Sequence, residues 1–200
     1  MEYTLAIENA PERVPGGTAI LLVHPSTAET DRVDTDFLQT DTDHLLVVTT
    51  RTTAREVRQK LDHYGIDEAK ATILDTLSVE RGYTRRQSER VRYAAPEDLD
   101  AIVDQTRQFL EETEGKRRVS VDSVTEMIYY ADETQVREAV AAIQGLLDDH
   151  DAVGLFHLAG GVHDDHTVDT FRTLPDGVLE LDENGTITAA FGDSRSDTDT

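Results

Sequence analysis

The chain has no cysteine in its 200 residues, which removes a disulfide framework, a thiolate metal site and a cysteine nucleophile together. Tryptophan is also absent, aromatics make up 6%, and lysine occurs only at positions 60, 70 and 116. No apolar run approaches the roughly 18 residues that a membrane-spanning helix needs, and residues 1–13 carry acidic groups in place of an apolar leader core. The expected location is therefore the cytoplasm, with no membrane partner. Hydrophobic residues are 38% of the total, but they gather into runs at 20–23, 45–48 and 153–158 that are dense enough to form buried strands.

Acidic residues are plentiful. The formal net charge is −22, spread along the whole chain instead of gathered in one tail. A surface of that kind suits a halophilic cell. Near-molar salt shrinks the Debye length to roughly 3 Å, which screens the self-repulsion that would loosen the fold in dilute buffer. The same charge argues against nucleic acid as a partner, because there is no broad basic face to meet phosphates.

Periodicity places the elements. Gly16-Gly17 precedes a strand at 19–23, and a second strand at 44–50 leads into a helix over 53–64, where Ala54, Val57, Leu61 and Tyr64 share a face and Gly65 ends it. A short strand at 71–74 is followed by the arginine-rich segment 78–93, expected to be an exposed excursion without regular structure. Pro96 is expected to open a helix with a stripe running from Leu99 to Leu110 and closing at Gly115. A strand at 118–122 ends in a carboxylate, and Thr134 is the expected N-cap of the next helix. A buried strand at 153–158 and a helix through Val168 and Phe171 lead to strands at 178–181 and 187–191, joined through Asn184-Gly185 as a hairpin. Strands alternating with helices predict one α/β domain over 1–191, with a mostly parallel twisted sheet, helices on both faces and a C-terminal β-hairpin; residues 192–200 are expected to form an acidic disordered tail. Ligands of such sheets meet the carboxyl ends of strands, here the loops after Val23, Val48, Val121 and Phe156.

Several pieces in order carry a family resemblance. Gly17-Thr-Ala-Ile-Leu-Leu-Val-His-Pro-Ser, then Asp36-Phe37-Leu38, Tyr64-Gly65-Ile66-Asp67, Arg118-Val-Ser-Val-Asp-Ser, Gly154-Leu-Phe-His-Leu and Leu174-Pro-Asp-Gly-Val-Leu-Glu-Leu together resemble the KaiC branch of the RecA-like P-loop ATPases from about residue 16 to 181. The resemblance implies a three-layer RecA-like domain of a degenerate, haloarchaeal type, because the phosphate loop has been overwritten. A working loop needs glycines whose N–H groups wrap phosphate, a lysine, and a hydroxyl for Mg²⁺. Ungapped placement after His24 instead puts Glu29 at the last glycine, Thr30 at the lysine and Asp31 at the hydroxyl. Where the family usually carries adjacent glutamates after the second strand, this chain has Thr49-Thr50-Arg51-Thr52. Asp122 matches the Mg²⁺-holding aspartate, and a structural role, capping the helix after it, is the expectation here; His157 falls on the sensor strand.

The reading that follows is a catalytically inactive, protein-binding or regulatory domain, with no cofactor and with a protein partner or a second copy of itself. The alternative is a residual binder of ATP or ADP with Mg²⁺, or a weak ATPase, using a rearranged site of His24, Arg51, Asp122 and His157. An exposed apolar patch on residues 1–14 would favour self-association. Three further groups stand out. His157, His163 and His166, with Asp164 and Asp165, have ligand chemistry for a borderline divalent ion, against a plainer reading as a buried histidine followed by helix-capping residues. His24 beside Ser26 or Thr27, oriented by Asp31 or Asp122, would make a nucleophilic triad, but no glycine elbow surrounds the serine. Arg81, Arg85, Arg86, Arg90 and Arg92 concentrate positive charge, either to grip an acidic or phosphorylated partner or to pair with neighbouring carboxylates.

Overall fold

The computed structural model describes residues 1–27, 29–83, 88 and 90–192. Its centre is an eight-stranded sheet. In spatial order the strands are β10 (Ile187–Phe191), β9 (Gly177–Leu181), β3 (Ala19–His24), β8 (Val153–Ala159), β7 (Arg117–Asp122), β4 (His44–Thr49), β5 (Ala71–Asp75) and β6 (Val91–Tyr93). Every neighbouring pair is parallel except the terminal hairpin of β9 and β10. β3 and β8 are buried at every position, which is why they read as continuous apolar runs.

Two cores flank the sheet. One holds Leu21, Val23, Leu46, Val48, Val121 and Phe156 under α4 (Leu99–Glu112), α5 (Val124–Tyr130), α6 (Glu133–Asp149) and α7 (Asp165–Arg172). The other holds Ile20, Leu22, Leu45, Val47, Val153 and Leu155 under α1 (Asp31–Gln39) and α2 (Ala54–His63). Alternate residues of each central strand thus serve opposite faces, as a pleated strand requires. The three-layer α/β arrangement with its C-terminal hairpin matches the architecture expected from the sequence.

Local differences have local causes. The segment 78–93 is not without regular structure: α3 (Leu77–Glu80) follows β5, and β6 pairs Val91 and Tyr93 opposite Ile73 and Asp75. α4 opens at Leu99 behind the cap Asp98, not at Pro96, and the cap of α6 is Asp132, not Thr134; each aspartate accepts from an N–H three residues on, Ala101 and Gln135 respectively. Among residues 1–14, Met1 is the one large hydrophobic that is exposed. β1 (Glu2–Thr4) and β2 (Arg13–Pro15) pair with each other, and Tyr3, Leu5, Ile7 and Val14 are buried in the core beneath α1 and α2. Gly192 donates to the Asp176 carbonyl, and the remainder of the expected tail lies outside the described residues. No helix among the described residues is long and apolar enough to cross a membrane.

Candidate functional site

Strand parity assembles the site. His24 lies in phase with Ile20 and Leu22, Asp122 with Arg118 and Ser120, and His157 with Val153 and Leu155. All three therefore face α1 and α2 at the carboxyl ends of central strands, where an open α/β sheet presents its ligand crevice. His24 ends β3 and Asp31 begins α1, and Thr50 and Arg51 follow β4.

Each carboxylate in this crevice has a basic partner from the chain itself. Arg51 brings Nε and Nη2 both to 2.8 Å from Asp122 Oδ1. Its position is fixed by Thr50, whose N–H and Oγ1 donate to the Asp122 carbonyl at 2.8 and 3.0 Å while its Oγ1 accepts from the Ser123 N–H at 2.7 Å. Asp31 takes Lys60 Nζ at 2.5 Å and the Tyr64 hydroxyl at 2.8 Å, both presented by one face of α2 and its C-terminal residue. Burial would lower the Lys60 pKa, but Asp31 outweighs it and the net direction is up. Asp34 accepts from Thr30 Oγ1 at 3.0 Å and lies 2.8 Å from His157 Nε2. That separation is within ion-pair reach, and each group favours the charged form of the other.

The two histidines are driven in opposite directions. His157 is fully buried, which disfavours its charged form, yet Asp34 overcomes that cost and its pKa is raised. Burial likewise raises the Asp34 carboxyl, and His157 and Thr30 more than reverse it, so Asp34 is held below the usual carboxylate range. His24, 2% exposed, is pushed down by burial, with His157 and Arg51 adding to the effect. Its Nδ1 lies 2.9 Å from the Pro25 carbonyl, which as acceptor selects the tautomer protonated at Nδ1. Among the described residues His24 Nε2 and His157 Nδ1 are buried without a partner, and the rings meet edge to face at 5.7 Å between centroids. Between α1, α2, β4 and β7 a cavity of about 50 Å³ is lined by Asp31, Asp34, Lys60, Tyr64, Ser120 and Asp122. It has room for a water or two, far below the roughly 300 Å³ at which small-molecule sites begin.

The sequence-derived candidates divide. His24, Thr30, Asp31, Arg51, Asp122 and His157 converge on the crevice, whereas Glu29 is exposed on the loop. Asp122 pairs with Arg51 and does not cap α5, whose N-cap is Ser123. No triad forms: Ser26 and Thr27 are exposed, His24 Nδ1 faces the Pro25 carbonyl, and Asp31 and Asp122 are taken by Lys60 and Arg51. His163 Nε2 lies 3.2 Å from Thr125 Oγ1, His166 is exposed in the first turn of α7, and Asp164 caps that helix through the Thr167 N–H. Among the described residues no three His, Cys, Asp or Glu side chains are placed to hold a metal ion. Of the arginine cluster, Arg81 is exposed and Arg90 donates to the Glu68 carbonyl. Arg92 is buried, pairing with Glu112 and the Gln105 carbonyl, which corrects its expected place on an exposed excursion. Arg85 and Arg86 lie outside the described residues. Asp34, Lys60 and Tyr64 are site residues the sequence reading did not single out. Their signal is the spacing of Asp31 with Asp34 and of Lys60 with Tyr64, each pair about one helical turn apart.

A model of a family of unknown function (DUF7090) matches residues 1–191, and no curated protein matches the chain. Solved structures do. A protein from Pyrococcus horikoshii described as KaiC-like is 18% identical, over 93% of this chain and 83% of that one, with a TM-score of 0.58. A second protein from the same organism is 12% identical over 92% and 90%, with a TM-score of 0.62. A third, an uncharacterized protein solved in complex with an unknown peptide, is 14% identical over 90% and 86%, with a TM-score of 0.63. At these identities the likeness is one of fold, and the fold is KaiC/RecA-like.

Proposed function

The chain belongs to that family of unknown function, so its role has to be read from its own residues, and we propose that it is a non-hydrolysing KaiC-like domain serving as a protein-binding or regulatory module in a salt-rich cytoplasm. The observation that carries this reading is the Arg51–Asp122 pair. An ATPase of this fold needs the carboxylate at that place to be free for Mg²⁺. Here a guanidinium fixed by the Thr50 latch already neutralises it. Mg·ATP does not fit the remaining residues either. Asp31 stands where a hydroxyl would meet the ion and is paired with Lys60, while Thr30 stands where a lysine would meet phosphate and is turned to Asp34. A polyphosphate entering this crevice would meet three carboxylates already paired and would have to break those pairs to find a cation.

Protein binding is supported by the fold's use elsewhere, since the third Pyrococcus protein was solved with a peptide. The test is phosphate release from Mg·ATP by the purified chain in molar KCl. The expected rate is that of the protein-free control. Hydrolysis that disappears in Asp122→Asn would overturn the proposal and favour a rearranged nucleotide site.

A further inference from the structure

The first turn of α1 is fastened by charges instead of a cap. Among the described residues the side chain of Thr30, the N-cap, bonds no backbone N–H of the helix; its hydroxyl donates to Asp34 Oδ2 at 3.0 Å. Two acidic residues then anchor the turn in different directions. Asp31 is tied to α2 by Lys60 and Tyr64. Asp34 is tied to the sheet by the fully buried His157, whose Nε2 lies 2.8 Å from its Oδ1. The exposed pair of Arg32 with Glu8 adds little. The anchor to the sheet is an ion pair only while His157 carries its second proton. The other charged and titratable groups that act on it are His24 from β3, Asp122 from β7 and Arg51 after β4, while Lys60 from α2 acts on Asp34. Asp122 is neutralised by Arg51, so the proton on His157 is held chiefly by Asp34. Just above neutrality His157 is the member that titrates. Burial lowers its pKa but Asp34 outweighs burial, and the net direction is up from 6.5. His24, held down by burial, is already neutral there, and Lys60, lowered by burial but raised further by Asp31, keeps its charge.

We propose that the first turn of α1 is a proton-held lid on the crevice, closed while His157 is protonated and lifted when that proton leaves in mild alkali. A carboxylate that loses its counter-charge is costly to keep from water, and Asp34 then faces a neutral imidazole. Lifting exposes Val33, whereas Phe37 and Leu38 keep the second half of α1 in the core. It also opens the small cavity lined by Asp31, Asp34 and Asp122. The surface presented at the carboxyl ends of the strands thus differs between the two states. The inference rests on the regulatory half of the proposed function and gives that regulation its signal, a proton. The sign follows from linkage: in the lifted state His157 returns toward 6.5, so the closed state is favoured below that value and loses ground as pH rises toward the folded value.

The experiment is amide hydrogen exchange on the full wild-type chain in molar KCl between about pH 6 and about pH 9, corrected for the intrinsic effect of pH, beside an NMR titration of His157. Amides from Asp34 to Leu38 should lose protection by up to about tenfold per pH unit above the ordinary histidine value and level off past the His157 midpoint. Low concentrations of urea should leave that exchange unchanged, as a local opening requires, while speeding exchange in α6, which needs global unfolding. His157→Gln and Asp34→Asn should both show weak protection at Asp34 to Leu38 at every pH, with the α6 amides still protected as the sign of a folded chain. Protection in the wild type that ignores the His157 midpoint, that yields to urea in step with α6, or that keeps its pH slope in His157→Gln would each overturn the proposal. Because the readout is amide exchange, its failure is distinguishable from a finding that Mg·ATP binds or is hydrolysed.

Discussion

His24 and His157 sit on adjacent strands with pKa values moved in opposite directions, so the pair imposes a dome on stability against pH. The raised value of His157 contributes stability that is present below the ordinary histidine value of 6.5 and is lost as pH rises through the folded value. The lowered value of His24 acts in the other direction: below 6.5 the unfolded chain takes up the proton more readily, so stability falls with acid. Melting temperature measured between about pH 5 and pH 9 should pass through a maximum, with the alkaline limb flattened in Asp34→Asn and the acid limb in His24→Gln. The low value of Asp34 adds a separate loss under stronger acid, beneath the carboxylate's usual 3.8. Arg51 carries a second prediction. Its side chain is 31% exposed and that of Asp122 16%, so Arg51→Ala should cost about 1–2 kcal/mol in denaturant unfolding, reduced by solvent screening from the cost of a fully buried pair. Arg107→Ala, which breaks an exposed pair with Asp104, should stay within about 0.5 kcal/mol.

Among the elements, the arm of β1 and β2 is the one whose contribution is least visible in its own sequence. Tyr3 is fully buried, donates to the Asp151 carbonyl at 2.7 Å and accepts from the Arg117 N–H at 3.0 Å, tying the arm to the ends of β7 and β8. Tyr3→Phe should therefore lose about 1–3 kcal/mol, because an N–H and a carbonyl are left without partners. Arg118 lies beneath it, with its guanidinium 5.3 Å from the Tyr3 ring and 5.1 Å from Phe37, its Nη2 donating to the Thr4 carbonyl, and burial lowering its pKa to about 10. The strands and long helices were legible because burial on both sheet faces, or on one helix stripe, writes a period into the residues. β6 was not: three residues with a buried arginine at the centre are too short to show one, and the helix expected after Asp122, α5, has only Val124 and Met127 buried among its seven residues and so shows no bounds of its own. The arm was hidden for a different reason, since its partners lie more than a hundred residues away. In the crevice, His24, Asp122 and His157 were legible from their places at strand ends. The ion pairs made by Asp34 and Lys60 were not, because they depend on how α1 and α2 are rotated toward each other.

At the scale of the whole molecule, a charge of −22 on a 200-residue chain makes stability a function of ionic strength. The melting temperature should climb by several degrees between about 0.2 M and about 2 M KCl, and equal melts would contradict a surface adapted to salt. The same field bears on the crevice, where, among the described residues, Arg51, Lys60 and His157 are the partners of Asp122, Asp31 and Asp34. The proposed exclusion of nucleotide from the crevice rests on that internal pairing. The most direct test of it is the melt of the purified chain in molar KCl with and without millimolar Mg·ATP, since a ligand at about a hundred times its Kd adds roughly 2.7 kcal/mol, or on the order of 5 to 10 degrees for a chain of this size. An unchanged melt is the expected result; a rise of that size would mean that the crevice opens to nucleotide, and the account would be wrong.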